Sequence, residues 1–397
     1  MKRTNLVCCV GIGLGVFAPS LVAQAQETPG NAGTPAPAPV PEAAPAAAPA
    51  PAPADVMPPS KVTGFVESAY HADASNMGNG PVLFHSFDGQ NGNSFYLHAL
   101  QLTVSHSFTP ETSFVVDLNA GSDAALVNSG YAPAGMPFDV QEAYGVWSPG
   151  NFIFTAGKFV TYEGIEVIEG PLNPTLTRGF LFGLAEAYTH TGAKLHYKLS
   201  DQYQIGVGII NGWDTLLDNN RGKTLIWALS AAPNAAFHAQ FSGSYGPEQA
   251  GNSNKRLSLD LTGAVVAGPV TINFQGNYGS EQKAIDYDFD GNPDNDSWYG
   301  VGIQPVLAEG DFTLGARFEY FHNQHGSRVL LGDGVVFEDA GLANFTLTPG
   351  YLVGKGFTLR GEIRLDTASE KVFARKDAGP EKSQVTFGLG AQYVFGP

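Results

Sequence analysis

Residues 256–278 read RLSLDLTGAVVAGPVTINFQGNY. Leu257, Leu259, Leu261, Gly263 and Val265 alternate with Arg256, Ser258, Asp260 and Thr262. Beyond Gly268-Pro269, Val270, Ile272, Phe274, Gly276 and Tyr278 alternate with Thr271, Asn273, Gln275 and Asn277. A period of two is the strand period, because successive Cβ atoms point to opposite faces of a sheet. Two such runs around a Gly-Pro pair predict an antiparallel hairpin. The pattern recurs elsewhere. Tyr96, His98, Leu100, Leu102 and Val104 read as one face, against Ala99, Gln101, Thr103 and Ser105. Phe357, Leu359, Gly361, Ile363 and Leu365 alternate with Thr358, Arg360, Glu362, Arg364 and Asp366, and Val385 to Phe395 closes the chain in the same way.

A soluble sandwich also alternates, so the lengths of segments and connectors decide. The segments run to ten residues or more, enough for a tilted strand to cross a bilayer. Tight connectors fall near Thr109-Pro110, Ser148-Pro149-Gly150, Ser200-Asp201, Pro233-Asn234, Gly268, Glu309-Gly310 and Lys355. Long ones fall at 73–93, 121–137, 160–185, 214–222, 246–254, 279–296, 322–341 and 367–382. Strict alternation of tight and long predicts a transmembrane antiparallel β-barrel of about sixteen strands, with both ends on the short-turn side. Tyr96, Phe108, Tyr197, Phe241, Tyr245, Phe318, Tyr320, Tyr393 and Phe395 fall near segment edges, as interfacial girdles do. The other face carries Lys194, His196, Lys198, Arg256, Asp260, Arg317, Glu319, Arg360, Glu362 and Arg364. A dry core would not hold so many charges, so a water-filled lumen is expected.

Composition agrees. Of 397 residues, 21 are Lys or Arg and 37 Asp or Glu, for a net charge of −16. That balance speaks against nucleic acid as a partner, since phosphate neutralisation needs clustered bases. Gly (49), Phe (26) and Tyr (15) are plentiful and Met (4) is scarce. A mean hydropathy of −0.06 excludes a bundle of apolar spanning helices. Residues 1–25 read as a secretory leader, with Lys2 and Arg3, an apolar run from Leu6 to Phe17, and the cleavage signal Ala23-Gln24-Ala25. The chain's two cysteines, Cys8 and Cys9, lie there, so the chain from Gln26 onward carries no thiol. Residues 26–60, Pro- and Ala-rich, are expected to be an extended periplasmic linker, and 61–397 the barrel.

No G-x-S-x-G, H-E-x-x-H or Walker A motif is present, so no enzyme is expected. His322 and His325 make a weak His-x-x-His. Asp286, Asp288, Asp290 and Asp294 around Gly291 match the opening of a calcium loop, although Ser297 stands where a bidentate Glu belongs. Ca2+ is therefore weighed against a solvated acidic loop.

The stretch with Gly157-Lys158-Phe159, Gly164, Glu166, Asn173, Arg178 and His190-Thr191-Gly192, followed by Asn211-Gly212-Trp213-Asp214, Asn220 and Lys223-Thr224, resembles the OmpL-like β-barrel porin family. The resemblance is densest over 140–250. It implies an outer-membrane channel for small hydrophilic solutes in a Gram-negative bacterium, with no catalytic residues. By analogy with sixteen-stranded porins, a trimer is expected, and so is an inward-folded third loop. The connector 160–185 is the candidate, being the longest and rich in Ile165, Val167, Ile168, Leu172, Leu176, Phe180, Leu181 and Phe182. Its Glu163, Glu166 and Glu169 are expected to face Arg256, Arg317, Arg360 and Arg364 across the pore and set charge preference. The rival is a plugged barrel in the outer-membrane lipid that serves as a surface adhesion or structural protein.

Overall fold

The computed structural model describes residues 60–74, 93–127, 136–329, 339–373, 375 and 379–396. The expected leader and most of the Pro/Ala linker lie outside them. The strands are β1 (Lys61–Asp73), β2 (Ser94–Ser107), β3 (Thr112–Ala120), β4 (Phe138–Trp147), β5 (Phe152–Val160), β6 (Thr189–Lys198), β7 (Tyr203–Ile210) and β8 (Thr224–Asn234). They continue as β9 (Phe237–Pro247), β10 (Lys255–Ala267), β11 (Val270–Ile285), β12 (Asp294–Glu309), β13 (Phe312–Asn323), β14 (Ala340–Gly354), β15 (Phe357–Ala368) and β16 (Ser383–Phe395). Each pairs antiparallel with its sequence neighbours, and β1 pairs with β16 from Gly64↔Phe395 to Asp73↔Thr386, closing the barrel.

The two faces are inverted relative to a soluble protein. Leu261 is 48% exposed and Ile272 42%, whereas Ser258, Asp260, Thr262 and Asn273 are at most 1% exposed. Apolar out and polar in is the arrangement a lipid-embedded barrel requires, because its outer side chains meet hydrocarbon while strand pairing around the closed sheet satisfies the backbone. The tight turns sit at the seven predicted places. At Gly268 (φ 60°) and Gly310 (φ 61°) the chain takes the positive φ that matches the twist of a two-residue hairpin.

Among the differences from the sequence reading are two connectors and one face. The connector expected at 279–296 shrinks to residues 286–293, because β11 and β12 keep pairing, through an irregularity between Glu281 and Ile285, beyond the apolar belt. The connector expected at 160–185 runs from 161 to 188. In β2, Glu67 pairs with Ala99 and Ser68 with Leu97, so His98 is an extra residue in a bulge. The bulge slips the alternation, turning His98 (1% exposed) away from lipid while Leu97 and Leu100 stay exposed. The single face predicted for Tyr96, His98 and Leu100 is therefore broken in two.

A candidate constriction between the longest connector and the wall

Segment 161–188 holds a single 3₁₀ turn (Gly170–Leu172) and a single π turn (Leu181–Ala185), with its remaining backbone irregular. Irregular backbone must find its hydrogen-bond partners in side chains, and this segment finds them on wall strands far apart. Near its start, the Tyr162 carbonyl accepts from Gln240 Nε2 (2.6 Å) and Ser242 Oγ (3.2 Å) of β9. The Tyr162 ring packs with Phe159, Ile210, Ile226 and Ala228, and its hydroxyl lies 3.0 Å from His196 Nε2. A Cβ on Gly206 would lie 2.8 Å from His196 Nε2 and 3.3 Å from the Tyr162 hydroxyl, so the glycine leaves room for this pair. Lys194 Nζ sits 4.2 Å above the Phe159 ring and 4.7 Å above Tyr162.

Asn173 cross-braces the connector's bend. Its Oδ1 accepts from Val167 N–H (2.9 Å) and its Nδ2 donates to the carbonyls of Val167 (2.8 Å) and Glu169 (3.0 Å). The Arg178 guanidinium adds donors to the Val167, Ile168 and Leu176 carbonyls. Beyond the bend the wall takes over. Glu362 of β15 accepts from Leu176 N–H (2.7 Å) and Thr177 N–H, and Glu319 of β13 accepts from Phe180 N–H. Leu176 itself lies against Gly388 and Gly390 of β16, where a Cβ would meet it at 2.7 and 2.6 Å.

The predicted charges separate into two groups. Glu166 and Arg317 are in direct contact: Arg317 Nη1 lies 2.8 Å from Glu166 Oε1, which also accepts from Gln304 Nε2 (2.8 Å). Arg317 further donates to the Thr177 carbonyl and to Thr346. Arg364 grips the Arg178 carbonyl (2.6 Å) and Asp366, and Arg360 reaches the carbonyls of Gly170 (3.4 Å) and Thr175 (3.3 Å). These guanidiniums fasten the connector rather than face it across open water. Arg256 is elsewhere, paired with Glu281 (2.8 Å) and stacked 4.8 Å over Trp213.

Glu163 and Glu169 meet no arginine among the described residues. Glu169 accepts from Gln101 and Gln141, and its burial raises its pKa. Glu163 accepts from Ser258 Oγ (2.7 Å), close to Asp260. Burial and the Asp260 charge push it up to about 8. Glu186, which hydrogen-bonds Gln275, is raised well above the usual range for the same two reasons. Sequence reading passed over Glu186, Tyr162 and Arg178 as site residues, because a connector has no period by which to select them.

Apolar side chains complete the arrangement. Ile165, Ile168, Leu176, Phe180, Leu181 and Phe182 are all 4% exposed or less, while Leu172 is 44% exposed. Phe180, Leu181 and Ala185 form one cluster with Trp298, Phe321, Val329, Leu342 and Phe373. Arg328 lies 5.0 Å over Trp213 and 5.3 Å over Trp298 and donates to the Leu184 carbonyl, tying residues 324–329 to the connector.

Of the four carboxylates predicted for calcium, the structure gathers three: Asp286, Asp288 and Asp290 bring oxygens within 4.8 Å of one another. Asp294 is instead the first residue of β12, paired with Ile285. The gathered oxygens accept from the backbone N–H of Asp290 and Gly291. His322 and His325 part company, the first binding Asp339 (2.8 Å) and the second stacking on Tyr287.

The family model for OmpL-like beta-barrel porin-2 proteins matches residues 59–395. No curated protein matches the sequence. Among solved structures, the outer-membrane channel DcaP of Acinetobacter baumannii superposes with a TM-score of 0.58 at 12% identity, covering 85% of this chain and 97% of that one. The anion-selective porin of Comamonas acidovorans gives 0.57 at 10%, covering 85% and 99%. A trimer form of OmpT from Vibrio cholerae gives 0.54 at 13%, covering 85% and 99%. At such identities these neighbours speak for the fold, and the match over residues 59–395 supplies the rest: the chain belongs to the OmpL-like β-barrel porin family.

Proposed function

We propose that this porin is a passive diffusion channel for small hydrophilic solutes in the outer membrane, narrowed by segment 161–188 folded into its lumen, and that it prefers cations. The observation that carries the reading is the set of partners of one connector. Its backbone and carboxylates reach β2, β4, β9, β10, β12, β13 and β15. A chain segment can touch walls so far apart only by crossing the interior. The family and the fold are those of a channel rather than an enzyme. Cation preference follows from the cluster of Glu163, Glu186 and Asp260, whose partners among the described residues are amide and hydroxyl groups and one backbone N–H, and it strengthens as these groups ionise.

Residues 1–25 would export the chain, and 26–60 would stay in the periplasm, on the side where β1 begins and β16 ends. A trimer is the assembly we assign by analogy with porins. The apolar cluster around Trp298 and Phe321 favours the second reading, a plugged barrel whose outer loops bind, because it packs Phe180, Leu181 and Ala185 of the connector against the wall. Planar-bilayer recording separates the two, since a plugged barrel passes no current. In the channel, changing Glu163, Glu166 and Glu169 together to Gln shifts the reversal potential in a salt gradient toward anions. An unchanged ion preference and conductance would remove the connector from the constriction.

A further inference from the structure

The mouth on the long-connector side carries a cation that the channel reading does not use. Arg256 stands one residue inside that end of β10, and Arg328 comes from the connector after β13. Their guanidinium carbons lie 4.8 and 5.0 Å from the Trp213 ring. Arg328 also lies 5.3 Å from Trp298, whose plane is turned 85° from that of Trp213. Stacking uses the face of a guanidinium and leaves its in-plane N–H groups free to donate. The two arginines differ in what those groups meet. Arg256 gives Nε and Nη2 to Glu281 Oε2 (2.9 and 2.8 Å), and Gln249 Nε2 donates to Glu281 Oε1 (3.1 Å). Arg328 gives Nε to the Leu184 carbonyl (2.6 Å), and among the described residues nothing accepts from its Nη1 or Nη2. Asp214, the other nearby carboxylate, accepts from the Tyr188 and Thr189 N–H groups and forms no ion pair with either arginine. Desolvation and the Arg256 charge bring the Arg328 pKa down to about 10, so the group stays charged at neutral pH.

We propose that Arg328, held between Trp213 and Trp298, is a binding site for a compact oxyanion, the carboxylate or phosphate group of a small solute. With Nε taken by Leu184, Nη1 and Nη2 remain as a two-pronged donor, which matches two oxygens of one carboxylate or phosphate. Arg328 and Trp213 are both partly exposed, so a solute can reach the fork. The indoles exclude part of the surrounding water, and a charge-assisted hydrogen bond gains strength there. Arg256 adds little, because Glu281 already neutralises it. On the inward face of β10, Arg256 lies four residues nearer the mouth than Asp260, so an anion held beside it stops short of the carboxylates that favour cations.

The test is titration of the refolded full-length chain in detergent with inorganic phosphate, and separately with acetate, at constant ionic strength. Tryptophan fluorescence and calorimetry read the binding. A single saturable site is expected, with a fluorescence change that sodium chloride does not give. Arg328→Met abolishes it. Glu281→Gln releases Arg256 as a second donor and tightens it by about tenfold, the worth of one charge-assisted hydrogen bond. Lys223→Gln, at an exposed cation paired with Asp218, leaves it unchanged. Folding of each variant is checked by heat-modifiable migration. Folded Arg328→Met that keeps the wild-type curve overturns the site, as does folded Glu281→Gln that binds no tighter than the wild type. Absence of saturation by either anion in the wild type overturns it without any variant. Neither readout needs a current, so failure here is distinct from failure of the channel reading.

Discussion

The connector 161–188 is fastened by two parts of the wall whose chemistry is opposite. Along β13 and β15, charges are matched: Glu166 meets Arg317, and Arg364 holds the Arg178 carbonyl beside Asp366. Along β10 and β11, Glu163, Glu186 and Asp260 sit together, and Ser258, Gln275, Asn277 and the Gly164 N–H are what they meet. A matched pair keeps its hold over the whole physiological range. Neighbouring carboxylates cannot all ionise when buried, so that hold depends on protons. One end of the connector is a fixed anchor and the other a proton-dependent one.

The most damaging way to break this contrast is Arg317→Met. It leaves Glu166 and Glu319 buried beside one another without their guanidinium, and removing one partner of a buried pair costs about 3–5 kcal/mol. The urea midpoint should fall and single-channel conductance should rise as the connector detaches. Raising the pH probes the other end. The pKa of Glu163, about 8 in the folded chain, lies above that of a free glutamate. Its contribution to holding the connector is therefore complete in acid and lost as pH rises through about 8. Ionisation adds negative charge beside Asp260, so cation preference should increase between pH 6 and pH 9, and Glu163→Gln should flatten the titration.

Gly164→Ala acts at the same end through sterics. Gly164 has φ 93°, and a Cβ there would lie 2.1 Å from Glu186 Oε1. A cost of about 1–3 kcal/mol should appear as a lower urea midpoint and noisier open-channel current. The smallest effect belongs to a region that touches neither anchor. Millimolar calcium should give heat with Asp286, Asp288 and Asp290 in place, lose it in Asp288→Ala, and leave conductance unaltered in both.

The strands were legible because burial on one face and lipid on the other impose a period of two, and because the turns carry residues such as Gly268 and Gly310 that tight hairpins need. The connector's apolar run signalled a partner without naming it. Glu166 with Arg317 or Leu176 with Gly390 are contacts between residues more than a hundred positions apart, which no local pattern encodes. Bulges hide more. His98 read as a neighbour of Leu100 on one face, and the single extra residue in β2 turned it toward His71 instead. Arg256, by contrast, has the right charge on an inward strand, yet its height on β10 delivers it to Glu281 and Trp213.

Closure by β1 and β16 has a consequence for biogenesis. The first strand pairs with β2 along one edge, but its other hydrogen-bonding edge waits for the last strand, over three hundred residues later. Every shorter chain is an open sheet with two unpaired margins, which in lipid cost several kcal/mol per exposed group and in water invite aggregation. A chain cut before Ser383 lacks β16 altogether, cannot seal, and leaves the free edges of β1 and β15 open.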